Sequence, residues 1–545
     1  MTLSSHRQGG GSRGGRPRLL FLHPKTLVDS WPFPVDTLGE VIKVPSITYP
    51  LLAATLGDPP VDIEIFDGYV TRESFSAYKA RLARADIIAI SAMSPLKALD
   101  TELAIRLARV LNPNVRIILG GNHASAFAEE WVARGVDYVV VREGELAFPP
   151  LIDALVDGSD DVARIPNLVY RDRDGRVART APASTSVRLD DTAIPAWHRV
   201  DLRPYSGFGA GGLAATVEVS RGCPHRCDFC NINQYWGYSQ RYKSVERVID
   251  ELDRLSRLDV KQVFFSDDNF GHDTEHTLNL LEAIVRRPWK MAFGGFIRGD
   301  TVARNPEFLP LASRAGLRIA LMGIESLSRE WLKLHKKGVG ARDVAAWYGD
   351  VYLACRRNRV FLIGLFITSG EVPFAVKSGT GADGHVCDFH YSADLLAQRG
   401  SALYDQLDAS GAVAKDMFYH DWNLASIGPT RAAAARGNDL PVGPQRGRKT
   451  FAHLVRDADW AALRGLFSSD PVSRHVWRRN MGVLAERLAC TTRADVRRYL
   501  VAHDERRPLP ERQAAITGSV LNEAMVVQLA GARKWRAPLS LRCGS

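Results

Sequence analysis

The chain has 545 residues, 46% of them apolar and 24% charged, the balance of an ordinary soluble globular protein. That length exceeds what one hydrophobic core serves, so two or three domains are expected. The formal charge of +10 is spread along the chain instead of gathered in basic runs with interleaved aromatics, which argues against a nucleic-acid face, and no apolar run approaches the roughly 18 residues of a membrane span.

Residues 1–17 are rich in Gly, Arg and Ser and lack the apolar stretch of a signal peptide, which predicts a disordered tail. Short apolar runs then recur at 18–24, 61–68, 85–95, 115–123 and 136–145. Helical patterns such as 99–111, with apolar residues three and four apart, lie between them. This alternation predicts an α/β fold, with a Rossmann-like doubly wound domain over 18–165. Ligands of such sheets sit beyond the carboxyl ends of the strands, where "SAMSP", "GGNHAS" and "REGE" fall. Residues 166–212 look like a hairpin and an extended linker. A second alternating series over 213–437 predicts a partial (β/α) barrel of the TIM type. From 438 to 545 the pattern turns helical and Arg/Ala-rich, which predicts a small helical C-terminal domain.

Of seven cysteines, Cys355, Cys387, Cys490 and Cys543 are solitary, which is not a secreted disulfide framework and points to the reducing cytoplasm. The other three, Cys223, Cys227 and Cys230, share "SRGCPHRCDFCNI", the loop after the first barrel strand. Structural zinc wants four ligands and a disulfide two. Three thiolates on a [4Fe–4S] cube leave one iron open to bind something else. A zinc site completed by His225 or His272, or three unrelated core thiols, are the other readings of the spacing.

At these residues the chain resembles the radical S-adenosylmethionine (SAM) superfamily, whose signature is Cys-x3-Cys-x2-Cys, and Phe229 before the last cysteine also fits. The resemblance implies that the open iron chelates the amino and carboxylate groups of SAM. It places Asp267, Asp268 and Asn269 of "FFSDDNF" near the SAM amino group, Arg298 of "FIRGD" towards its carboxylate, and Glu325 of "GIES" near its ribose and adenosine. Upstream, residues 120–148 resemble the cobalamin-binding domain that precedes class B members of this family. That implies a crevice lined by Ser91, Ser94, Gly120, Gly121, His123, Glu143, Gly144 and Glu145. Arg142 stands where the family commonly has glycine. The Asp-x-His-x-x-Gly motif is missing, so no protein histidine is expected on cobalt, and Arg72 is the candidate cover of its lower face. Between Thr368 and His390 a Gly-rich stretch replaces the family's Gly-x-Pro-x-Glu-Thr text. The likeness resumes around Tyr404, Asp421 and Trp422, then fades.

The family likeness implies three cofactors: a [4Fe–4S] cluster, SAM and cobalamin as methylcobalamin. One SAM would methylate the cobalamin and a second would yield a 5′-deoxyadenosyl radical. The expected activity is a cobalamin-dependent radical SAM methyltransferase acting on an unactivated carbon, or phosphorus, of a specialised metabolite such as an antibiotic precursor. A small-molecule substrate and an external electron donor such as flavodoxin or ferredoxin are the expected partners. A cyclase or rearrangement enzyme, polar methylation of an sp² carbon, and a non-catalytic cobalamin- or metal-binding regulator are the alternatives. No side chain stands out as catalytic. Tyr235, Trp236 and Tyr238 could line a pocket or pack around the cluster.

Overall fold

The computed structural model describes residues 16–24, 42–71, 73, 75–93, 98–159, 162–368, 386–395 and 397–411. Residues 1–15 of the expected tail, the expected domain 438–545, Asp421, Trp422, and the candidate residues Arg72 and Ser94 lie outside that set.

Seven strands form the first sheet: β1 (Arg18–His23), β2 (Asp62–Asp67), β3 (Ile87–Ser91), β4 (Arg116–Gly120), β5 (Tyr138–Val140), β6 (Leu168–Arg171) and β7 (Val177–Arg179). Their order is β2-β1-β3-β4-β5-β6-β7, with β1 to β5 parallel and β6 and β7 antiparallel. Parallel strands are buried on both faces, which is why they read as continuous apolar runs. Leu20, Leu22, Ile88 and Ile90 pack on one face, and Leu19, Phe21, Ile87 and Ala89 on the other. The order in which strands join the sheet reverses between β1 and β3, so the open crevice of this sheet lies beyond their carboxyl ends. The hairpin foreseen at the start of the linker becomes β6 and β7, because the Asp172 carboxylate accepts the N–H groups of Asp174 and Arg176 and tightens the turn.

The second unit contains β8 (Leu213–Val217), the short β9 (Ser220–Arg221) and β10 (Arg241–Tyr242), then β11 (Val260–Phe270), β12 (Ala292–Ile297), β13 (Leu317–Glu325), β14 (Phe361–Thr368) and β15 (Phe389–Asp394). Six of these form one sheet in the order β15-β14-β13-β12-β11-β8, and every neighbouring pair is parallel. This is a six-stranded partial barrel. Alternate residues explain its two faces: Val263, Phe265, Ala320 and Met322 meet the helices outside, while Phe264, Ile319, Leu321 and Ile363 cluster inside around Phe208 of the linker. No described helix is long and apolar enough to cross a membrane.

Candidate active site

All the predicted barrel residues fall at carboxyl ends of strands. The cysteine loop follows β8 and β9, Asp267 to Asn269 end β11, Arg298 follows β12, and Glu325 ends β13. Gly222 opens the loop at φ +93°, and a Cβ there would stand 2.3 Å from the Ser239 carbonyl oxygen, so only glycine permits this entry. The Asp268 carboxylate accepts the Gly222 N–H at 3.2 Å. The Asn269 side-chain amide lies 3.8 Å from Cys223 Sγ. Asp267 is buried and turned to the loop's foundation: it accepts the Val219 N–H at 3.1 Å and the Ser220 hydroxyl. Gln240 completes that foundation by donating to Ser220 Oγ and to the Asn269 carbonyl.

Farther along the loop, the Asp228 carboxylate meets the Nδ1 of His335 at 2.9 Å, both buried. Phe229 packs its ring against Trp331 and His335. Burial pushes the Cys230 thiol up to about 12 and raises Cys223 as well. Both would stay protonated at neutral pH unless a cationic centre took the place of the proton, which is what iron does. Three half-buried thiols on one anchored loop therefore suit a cluster. Among the described residues, no three His, Cys, Asp or Glu side chains converge as ligands of a single ion.

Arg298 is paired with Asp300 at 2.9 Å, and Glu325 with Lys337 at 2.7 Å. The pattern of the sequence pointed to Arg298 and Glu325 but not to Lys337, Asp228, His335 or Gln240. Of the three aromatics past the cysteines, Tyr235 donates its hydroxyl to the Arg142 carbonyl at 2.5 Å. Trp236 lies under the Arg221 and Arg241 guanidiniums, at 5.4 and 5.8 Å. Tyr238 is exposed beneath Arg226.

In the first sheet, Ser91 ends β3 with its buried Oγ lacking any hydrogen-bond partner among the described residues. Met93 beside it is 56% exposed. Gly121, at φ +94°, lets the end of β4 close on this point, since a Cβ would stand 2.9 Å from the Ala92 carbonyl oxygen and Met93 Sδ. An orphaned hydroxyl and an exposed methionine at the switch of strand order suit an amphiphilic ligand such as a corrin. His123 is spent on packing: its Nδ1 accepts from Trp131 at 3.2 Å and its ring stacks on Phe127.

The "REGE" segment meets a residue of the other domain. Arg221, just before the cysteine loop, is 4% exposed and reaches Glu143 at 2.9 Å, Glu145 at 2.5 Å and Glu218 at 2.9 Å. Arg241, its partner across β9 and β10, also takes Glu143 at 2.9 Å, and the second Glu143 oxygen accepts the Val187 N–H at 3.0 Å. Two arginines side by side would repel, so the carboxylates of the other domain are their counter-ions. The linker adds a second tie, with the Tyr205 hydroxyl donating to Asp67 at 2.7 Å while His23 holds the other oxygen at 3.1 Å. These contacts press the carboxyl ends of β5 and β8 against each other.

Residues 42–152 match the family of B12 binding domains, and residues 217–348 match the radical SAM superfamily. Over 329 residues the chain is 30% identical to an uncharacterized methyltransferase of Pyrococcus horikoshii, covering 58% of this chain and 69% of that protein. It is 30% identical over 229 residues to the anaerobic magnesium-protoporphyrin IX monomethyl ester cyclase of Synechocystis, covering 42% of this chain and 45% of the relative. The radical SAM methyltransferase TsrM of Kitasatospora setae, solved with cobalamin and a [4Fe–4S] cluster, shares the fold, with a TM-score of 0.58 at 17% identity over 87% of this chain and 99% of its own.

Two measurements probe this arrangement. Arg221→Met leaves Glu145 and Glu218 without this counter-ion and Glu143 with Arg241 alone, and should cost about 3–5 kcal/mol, read as a lowered urea midpoint. A midpoint equal to wild type would mean the clamp holds nothing. Burial also pushes Asp267 up to about 7 against hydrogen bonds that pull it down. Its folded value stands above the ordinary 3.8, so its stabilising contribution is complete below 3.8 and is lost as pH rises to about 7. Asp267→Asn should flatten the pH dependence of the melting temperature across that window; an unchanged slope would assign the proton elsewhere.

Proposed function

The chain belongs to the B12-binding radical SAM enzymes, and from that premise we propose that it is a methyltransferase moving a methyl group from SAM to an unactivated carbon, or phosphorus, of a specialised-metabolite precursor. One observation carries the reading: the buried Arg221 ties the loop after β5 to the loop bearing Cys223, Cys227 and Cys230, so two cofactor-bearing strand ends share one front. Methyl transfer between a carrier and a radical needs that proximity.

When bound, the cluster would supply the electron that cleaves SAM, and cobalamin would carry the methyl group. The residues of this chain do the holding. The three cysteines grip the cluster, and Asp268 and Asn269 fix the loop towards the SAM side. Arg298 presents a cation to the SAM carboxylate, and Glu325 an acceptor to its ribose. In the first domain, Ser91, Gly120, Gly121 and the backbone around Gly144 shape the crevice for cobalamin. Ser94 and Arg72 join that set on sequence alone. The carboxylates of Glu143 and Glu145 serve the clamp in this reading, and His123 shapes the crevice through its packing. An external reductant of the flavodoxin or ferredoxin kind would supply the electrons.

Ring formation is the second reading, favoured by the cyclase among the relatives. Anaerobically reconstituted protein with SAM, cobalamin, a reductant and candidate substrates separates the two. Radical methylation gives S-adenosylhomocysteine together with 5′-deoxyadenosine; cyclisation gives 5′-deoxyadenosine alone; polar methylation gives S-adenosylhomocysteine alone. Cys227→Ala should abolish the brown charge-transfer band and both products. Turnover by that variant would sink the assignment of the loop.

A further inference from the structure

The turn after helix Arg329–Leu334 carries His335, Lys336 and Lys337. His335 is the residue that holds Asp228 of the cysteine loop. Two positions on, Lys337 has a 6% exposed side chain and puts its ammonium 2.7 Å from Glu325 Oε1. Lys336 between them sits at φ +54°, and the left-handed residue lets the turn send its two neighbours to different partners. Glu325 is also left-handed, at φ +62°, where a non-glycine residue persists only if its surroundings hold it. A Cβ on Gly323 would stand 2.4 Å from Glu325 Oε1 and 2.8 Å from Lys337 Nζ, so the glycine keeps the space this ion pair occupies.

Charge explains why the pair is needed. A cube held by three thiolates would carry net negative charge. A Glu325 carboxylate without a counter-ion would be repelled by the cube, and the Lys337 ammonium 2.7 Å away offsets its charge. Arg298 pairs with Asp300, and the cation that reaches Glu325 is Lys337.

We propose that Lys337 is a positioning residue for SAM, holding the carboxylate of the left-handed Glu325 aimed at the ribose. This rests on the reading of the β11–β13 strand ends as the SAM site. Removing the ammonium should weaken SAM binding about 10- to 100-fold, by analogy with the loss of a partner that orients a metal ligand.

The test is equilibrium binding of radiolabelled SAM to the reconstituted full chain, with iron content and cobalamin binding measured alongside. Lys337→Met should bind SAM about 10- to 100-fold more weakly with iron content and cobalamin affinity unchanged, and Lys337→Arg should recover most of the loss. Because Lys337 acts through Glu325, Lys337→Met combined with Glu325→Gln should bind no more weakly than Glu325→Gln alone. Gly323→Ala, which displaces the pair without removing a charge, should weaken SAM binding too. If Lys337→Met does not assemble a cluster, Lys337→Arg and Gly323→Ala carry the test. Wild-type SAM affinity in Lys337→Met, or additive losses in the double variant, would overturn the inference alone. Wild-type protein that holds four irons but no SAM would overturn the parent reading and this inference with it.

Discussion

A guanidinium enclosed by carboxylates from two domains is the constraint on which the site depends. Arg221 sits one residue before Gly222 and two before Cys223, so whatever fixes its side chain fixes where the cysteine loop begins. Two of its three partners come from the first sheet's domain. Burying such a group unpaired would be costly, and its fork geometry lets one side chain satisfy several oxygens at once. The placement of the barrel against the first sheet thus follows from local charge neutrality. The Trp236 ring below both arginines, and the Tyr235 hydroxyl on the Arg142 carbonyl, add packing and direction to the same joint.

Much of this protein was legible one stretch at a time. Apolar runs of strand length marked the parallel strands, because strands buried on both faces leave no polar alternation. The cysteine triad was legible because its three ligands come from one loop. What escaped were the partners that meet only after folding. Asp228 and His335 are 107 positions apart, and Arg221 and Glu143 are 78 apart. Nothing in local periodicity connects such residues. Glu143 and Glu145 were legible as part of a motif beyond β5, but the arginine in the other domain that pairs with them was not. Lys337 was the nearest miss, 12 positions from Glu325. It was hidden in a polar turn that resembles any solvated helix end.

The segment after β15 draws the two units together a third time. Arg399 pairs with Glu130 of the first domain and covers the Phe127 ring at 4.8 Å, and the Leu403 N–H donates to the Asp228 carbonyl at 2.8 Å. The cysteine loop is therefore gripped from before, by Arg221 and Asp267, and from behind, by residues near the end of the described chain.

Asp228 concentrates that grip in one residue. Its N–H is taken by the His335 carbonyl, its carbonyl by Leu403 and one carboxylate oxygen by the His335 ring, so backbone and side chain are both held. An electron arriving at metal held by this loop would meet dipoles already in place, so little of the driving force would go into moving protein. Rigidity here would lower the reorganisation energy for reducing a cluster held by this loop.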